Sequence, residues 1–204
     1  GIPNVGDMGP DIYMFSSYKT YGPHQGIMVV RRQLAEQLPN QAHYFNSDSL
    51  YKKFTPAGPD HAQIAACAGM VDYFDAVAAH HGAGHLPAAE RGSFVHTLFR
   101  EAEIARMQPL MTFLRERNDI RTLGPLDSVA RAPTIAIDIG RNAEEFAATL
   151  AQEGIMAGGG DFYAVRPLGA LNVNPRHGVL RLSFVHYTSE GDISKLIDVL
   201  RAHL

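Results

Sequence analysis

From Pro133 to the end of the chain, short β-branched runs alternate with stretches of helical spacing, and few architectures other than a sheet with helices packed on it can use that alternation. "PTIAIDI", residues 133–139, reads as a strand. Asn142 with Glu145 three residues on is the pattern of a capping box, and it opens a helix running to about Glu153, which Gly154 closes. "IMAGGG" reads as a short strand ending in a glycine turn, and "VLRLSFV" (179–185) as a further strand with Arg181 and Ser183 on one face. Ser189 and Asp192 cap a last helix whose Ile193, Leu196, Ile197, Leu200 and Leu204 form one apolar stripe. Residues 120–204 therefore read as a compact α/β unit.

The earlier part of the chain is more heavily punctuated. Residues 11–15 (DIYMF) and 26–30 (GIMVV) read as two buried strands bracketing "SSYKTYGPHQG", so that Lys19 lies in a tight connection bounded by Gly22 and Pro23. Residues 31–38 make a short helix stopped by Pro39, and 40–57 an extended polar and aromatic loop. Ile64, Cys67, Ala68, Val71, Phe74 and Ala78 recur at helical spacing, which predicts one helix over 60–79. A long helix follows over 88–117, and Pro109 within it is expected to kink or split it, because proline removes a backbone donor. The expected organisation is residues 1–83 as part of one α/β unit, 84–119 as a connecting helix and 120–204 as a second α/β unit. There are no internal repeats and no low-complexity tract.

Composition narrows the function classes. Hydrophobic residues make up 46% of the chain, enough for a substantial core, and the net charge of −3 comes without long runs of one sign. That argues against nucleic acid or an anionic membrane surface as the main partner. No stretch approaches the ~20 apolar residues of a membrane span. One cysteine, Cys67, cannot form an internal disulfide and suits a cytoplasmic location. His80, His81 and His85 lack the spacing of two ligands on one helical face, so no metal is expected. The triple glycine at 158–160 lacks the Lys-Ser/Thr of a phosphate loop.

Two basic residues stand out. A lysine in a turn is by default a solvated surface lysine. Lys19, however, is flanked by Ser16, Tyr18 and Tyr21 and by strands of buried type. Partial desolvation there would favour the neutral amine, which can condense with the aldehyde of pyridoxal 5'-phosphate. Arg181 interrupts an apolar run, so a partner is expected; a guanidinium holds a carboxylate through two parallel hydrogen bonds.

Three ordered segments carry a family resemblance. "SSYKTYGPHQG" resembles the cofactor-lysine motif of class-V aminotransferases of fold type I, closest to the cysteine-desulfurase-like branch. "TPAGPDHAQIAACAGMVDYFDAV" resembles the Gly-Thr-Pro segment and following helix of that family. "GVLRLSFVHYTSEGDISKLIDVL" resembles its C-terminal arginine motif. The resemblance implies an α/β chain forming the C-terminal part of such a transferase: the end of the large domain plus the small domain. It implies Lys19 as the Schiff-base lysine, Ser16 at the place of a phosphate-contacting hydroxyl, and Tyr18 where many members have a phosphate-binding histidine. It implies Arg181 as the ligand of the substrate carboxylate, and a loop at Thr55 and Gly58, with His61 nearby, that crosses a homodimer to the partner's cofactor phosphate. "AGPDH" departs there from Gly-Thr-Pro-Asn.

The segment matching the mobile-cysteine loop of cysteine desulfurases is "GGGDFYA", 158–164, which holds no cysteine. Cys67 sits on the buried stripe of a predicted helix, where a free cysteine acts as a small hydrophobe. Direct sulfur transfer therefore ranks below transamination, epimerisation or β-elimination of an amino acid, and Tyr163 is a candidate substrate contact or proton donor. The rival expectation is a catalytically incompetent or dimerising portion. The family's glycine-rich phosphate loop, its ring-stacking aromatic residue and its pyridine-pairing aspartate would all precede Gly1, and Asp7 and Asp11 stand too close to Lys19 to serve as that aspartate.

Overall fold

A computed structural model describes residues 3–55 and 58–204. The chain divides into two compact units between His96 and Thr97. In the first, a one-turn helix α1 (Val5–Met8) leads into β1 (Ile12–Ser16), which pairs antiparallel with β2 (Gly26–Val30). Met14 faces Met28 and Phe15 faces Ile27 across the ladder, so both faces of this two-stranded ribbon are apolar. A single 3₁₀ turn, Ser17–Lys19, begins the connection. The short helix α2 (Arg32–Gln37) ends before Pro39, and Lys53 Nζ closes its C-terminus by donating to the Ala35 and Glu36 carbonyls at 2.7 and 3.1 Å.

The single helix expected over 60–79 is two: α3 (His61–Ala66), capped by the Asp60 carboxylate, and α4 (Ala68–His80). They meet at Cys67, where the bonds Cys67 N–H to Ile64 O and Met70 N–H to Cys67 O tighten the ladder to the 3₁₀ pattern. Hydrophobic spacing is blind to such a change, because i,i+3 neighbours remain on one face. The long helix α5 (Ala88–Arg115) does run through Pro109 without splitting. Proline removes one bond, whereas Met107, Leu110, Met111 and Leu114, on both sides of it, are buried and hold the helix to the core.

The second unit is a four-stranded antiparallel sheet in the order β3 (Arg121–Leu123), β4 (Thr134–Asp138), β6 (Val179–Ser183), β5 (Gly158–Gly160). Its helices are α6 (Ala143–Gln152), α7 (Val165–Ala170) and α8 (Glu190–His203). Ile135, Ile137, Leu180 and Leu182 point to one face and pack with α5, Phe146 and Leu150 of α6, and Ile193, Leu196 and Leu200 of α8. The other face is covered only in part, by Leu168 and Val173 over Val179, with Phe162 and Ala136 at the margin. In this unit neither β3 nor α7 was anticipated. β3 has three residues and no alternation long enough to read, and α7 carries a proline in its first turn, where the missing N–H costs nothing.

Candidate active site

The Lys19 loop is organised by its buried neighbour. Ser17 is fully buried, and its Oγ donates to Pro23 O at 2.6 Å and lies 2.8 Å from Gln25 O. Its N–H donates to Gln25 O, and its carbonyl accepts from the N–H groups of Thr20 and Gly22 and from Thr20 Oγ1. One inward residue thus closes the whole connection, and the 3₁₀ turn it starts places Lys19 outward. Lys19 is exposed, which corrects the expected partial burial. Its Nζ lies 5.6 Å from the centre of the Tyr18 ring and has no hydrogen bond or ion pair among the described residues. Tyr18 in turn stacks on His24, centroids 4.7 Å apart and nearly parallel. Ser16, half-buried at the end of β1, keeps a hydroxyl with no hydrogen-bond partner among the described residues.

The far end of the loop is clamped to α4. Tyr21 has φ +67° and sets its ring against Tyr73 at 5.6 Å, edge-on. Gly22 lies so close to Met70 that a Cβ there would come within 2.4 Å of the sulfur. Ser17 and His24 were missed by sequence reasoning. The resemblance singled out Ser16, Tyr18 and Lys19 and was silent on the residues that hold their loop in place.

Thr55 is half-buried and lines an open cavity of about 1030 Å³ with Gly26 and Ile27 of β2 and with Cys67. Gly58 and His61 are exposed and share a second hollow with Thr55; Pro56 and Ala57 between them lie outside the described residues. Cys67 is half-buried rather than sealed in a helix stripe, and its thiol lies 3.3 Å from Gln63 O. No group of three or more His, Cys, Asp or Glu is placed to hold a metal among the described residues.

In the second unit Arg181 stands opposite Ala136 on one side and Gly158 on the other. Its guanidinium carbon lies 3.9 Å from the centre of the Phe162 ring. The side chain is exposed and has no hydrogen bond or ion pair among the described residues, so all five N–H donors are unspent. Among the described residues the contact of this arginine is therefore an aromatic ring. Tyr163 follows at φ +61° and is fully exposed; its N–H is held by Asp161 Oδ1 and its hydroxyl has no partner among the described residues. Lys19 with Ser16 and Tyr18 belongs to the first unit, and Arg181 with Phe162 to the second.

The class-V aminotransferase family model matches residues 2–196. The chain belongs to that family. It is 26% identical over 204 residues to an aminotransferase-like protein of Gibberella zeae, covering 97% of this chain and 47% of that protein. It is likewise 26% identical over 213 residues to a probable cysteine desulfurase of Pseudomonas putida, covering 98% and 47%. Among solved structures, a cysteine desulfurase of Escherichia coli superposes with a TM-score of 0.72 at 19% identity, covering 98% of this chain and 47% of that one. A cysteine desulfurase of Thermococcus onnurineus gives 0.71 at 18%, covering 97% and 48%. The mixed α/β fold is thus that of the cysteine desulfurases. The chain spans about half the length of the curated relatives it matches. Among the described residues no helix is long and apolar enough to cross a membrane.

Proposed function

We propose that this chain supplies the cofactor lysine and the carboxylate-binding arginine of a pyridoxal-phosphate enzyme acting on an amino acid. The observation that carries this reading is Arg181: an exposed guanidinium with every donor free, fixed by a ring instead of by a carboxylate. An α-carboxylate is common to all amino-acid substrates and matches that fork in two parallel bonds.

The residues present also fit the cofactor. A carbonyl-binding lysine must be reachable and unpaired, and Lys19 Nζ is both; Ser16, three residues earlier in the chain, offers an unpartnered hydroxyl for a phosphate oxygen. When bound, pyridoxal phosphate supplies an electron sink for negative charge at the substrate Cα. Lys19 would hold the cofactor through its amine, and the same amine would carry the proton at the substrate Cα. Tyr18 contributes a hydroxyl donor without positive charge. Thr55 and Gly58 reach toward a partner subunit in a cytoplasmic homodimer, the arrangement that family membership suggests. Tyr163, exposed on the loop after β5, contacts substrate or donates a proton.

Transamination, epimerisation and β-elimination rank above direct sulfur transfer. The loop at 158–164 has no thiol, and Cys67 lies in the other unit, half-buried with its Sγ near Gln63 O. A second reading, that the 204 residues alone are catalytically incompetent, draws support from the exposure of Lys19 and from the relatives' greater length. Borohydride reduction of the cofactor-loaded enzyme followed by peptide mapping tests the assignment: the pyridoxyl label belongs on Lys19, and a label on any other lysine refutes it. Arg181→Ala is expected to weaken amino-acid binding on the order of tenfold to a hundredfold while the cofactor absorbance persists.

A further inference from the structure

Arginine carries ~2 kcal/mol of side-chain rotamer entropy, and a strand surface does little to restrain it. Most arginines that must present a fixed fork are held by a carboxylate or by carbonyls, which use up the donors they fix. Arg181 is held without that loss. Its guanidinium carbon sits over the Phe162 ring, 3.9 Å from the ring centre, and its N–H groups have no hydrogen-bond partner among the described residues. We propose that Phe162 is the positioning residue for Arg181: it sets the guanidinium plane so that two parallel N–H groups meet a substrate carboxylate together. The proposal rests on the reading of Arg181 as the carboxylate ligand.

Three features lock the ring in place. Phe162 is half-buried against the cluster of Leu168, Val173 and Val179, so it has a fixed seat of its own. Its backbone adopts φ +52°, a conformation an L-residue holds only when its surroundings determine it. The strand residue paired with Arg181 is Gly158, and a Cβ there would come within 2.9 Å of Phe162 Cζ. Glycine opposite the arginine leaves the space that the ring occupies. Ser183 and Thr134, further along the same sheet face, lie within hydrogen-bonding distance of each other through their hydroxyls and do not compete for the guanidinium. Pre-setting the fork removes part of the ordering cost of binding, so its effect belongs in affinity and not in the chemical step.

Three variants and two readouts test this. Phe162→Leu keeps the apolar seat and removes the ring; Phe162→Tyr restores a ring; Gly158→Ala keeps Phe162 and displaces it. The first readout needs no substrate. The Arg181 side-chain Nε–H resonance, assigned by its loss in Arg181→Lys, should be shifted upfield by the ring current in the unmodified chain and in Phe162→Tyr. The shift should be absent in Phe162→Leu and reduced in Gly158→Ala. An unshifted resonance in the unmodified chain overturns the stack. The second readout is steady-state kinetics of the holoenzyme. Phe162→Leu and Gly158→Ala should each raise KM about tenfold with little change in kcat, and Phe162→Tyr should restore it. If Arg181→Ala raises KM and neither Phe162→Leu nor Gly158→Ala does, the positioning role fails and the arginine site stands. If Arg181→Ala leaves KM unchanged, the carboxylate site itself fails, and the positioning role with it.

Discussion

The three glycines at 158–160 look interchangeable in the sequence, yet each has a different neighbour. Gly158 lies under the Phe162 ring. Gly159 faces the other side of the sheet, where a Cβ would fall 2.1 Å from the Ala143 carbonyl oxygen at the start of α6. Gly160 has φ +129°. The obstacle at Gly159 is backbone in a capped helix turn and cannot move aside as a side-chain tip can. Gly159→Ala should therefore destabilise the fold by about 3 kcal/mol or more. Gly169→Ala, on α7 with nothing within 4 Å of a Cβ, should be neutral or stabilising by about 0.5–1 kcal/mol. Denaturant melts of the two variants decide it, and equal stabilities would show that the close approach at Gly159 is relieved without cost. Sequence pattern could not rank these glycines, because their roles depend on contacts across the sheet. Lys19 and Arg181 were conspicuous in the sequence, since each breaks a local pattern that its neighbours set. Phe162 was not, because an aromatic residue after a glycine turn has no periodicity to violate, and only its stack on Arg181 reveals what it touches.

Helix ends were the best-read elements, for the reason that capping is local. At α8 the Ser189 side chain accepts from the Asp192 N–H at 3.1 Å, and Asp192 Oδ2 accepts from the Ser189 N–H at 2.9 Å. Both bonds lie within four residues, so the sequence carries them whole. At α6 Asn142 Oδ1 accepts from the Glu144 and Glu145 N–H groups as the spacing implied, while Glu145 meets the Asn142 side-chain amide at 3.3 Å. The hydrogen bond from the Ser189 hydroxyl, then that from its backbone N–H, lowers the Asp192 carboxyl below the ordinary aspartate range. A carboxyl lowered in the folded state stabilises the fold above its unfolded value and loses that contribution as pH falls through the folded one. Ser189→Ala should cost about 1 kcal/mol at neutral pH. The gap between the variant and the unmodified chain should narrow below about pH 4, as Asp192 takes up its proton. Thermal melts by circular dichroism from pH 7 to pH 3 test this, and a gap that stays constant would mean that Asp192 adds nothing to the cap. The break at Cys67 and the continuity through Pro109 escaped the same reading, because the first is a change in bond pattern that preserves the helical face and the second is decided by burial.

At the scale of the whole molecule the two candidate groups differ in how complete they are. Arg181 has its support within its own unit: a ring, a facing glycine and a packed cluster behind the ring. Lys19 has a rigid loop beneath it and open solvent above. A cofactor tethered there through its aldehyde would be exposed to hydrolysis, since nothing among the described residues of that unit excludes water from the amine. The ribbon that carries the loop is also under-covered. A two-stranded hairpin is marginal on its own, and Ile12, Met14, Met28 and Val29 on it are all exposed. Residues of the relatives' additional length, or a second copy, would have to close over this region for the site to hold its cofactor. The 204-residue chain by itself should accordingly bind pyridoxal phosphate weakly, and its bare apolar ribbon should favour self-association. Titration with pyridoxal phosphate, followed by absorbance and by borohydride trapping on Lys19, measures the first; light scattering across a concentration series measures the second. Tight one-to-one binding by a monomer would show that the Ser17-centred loop retains the cofactor in open water, and the site would then need no further cover than this chain provides.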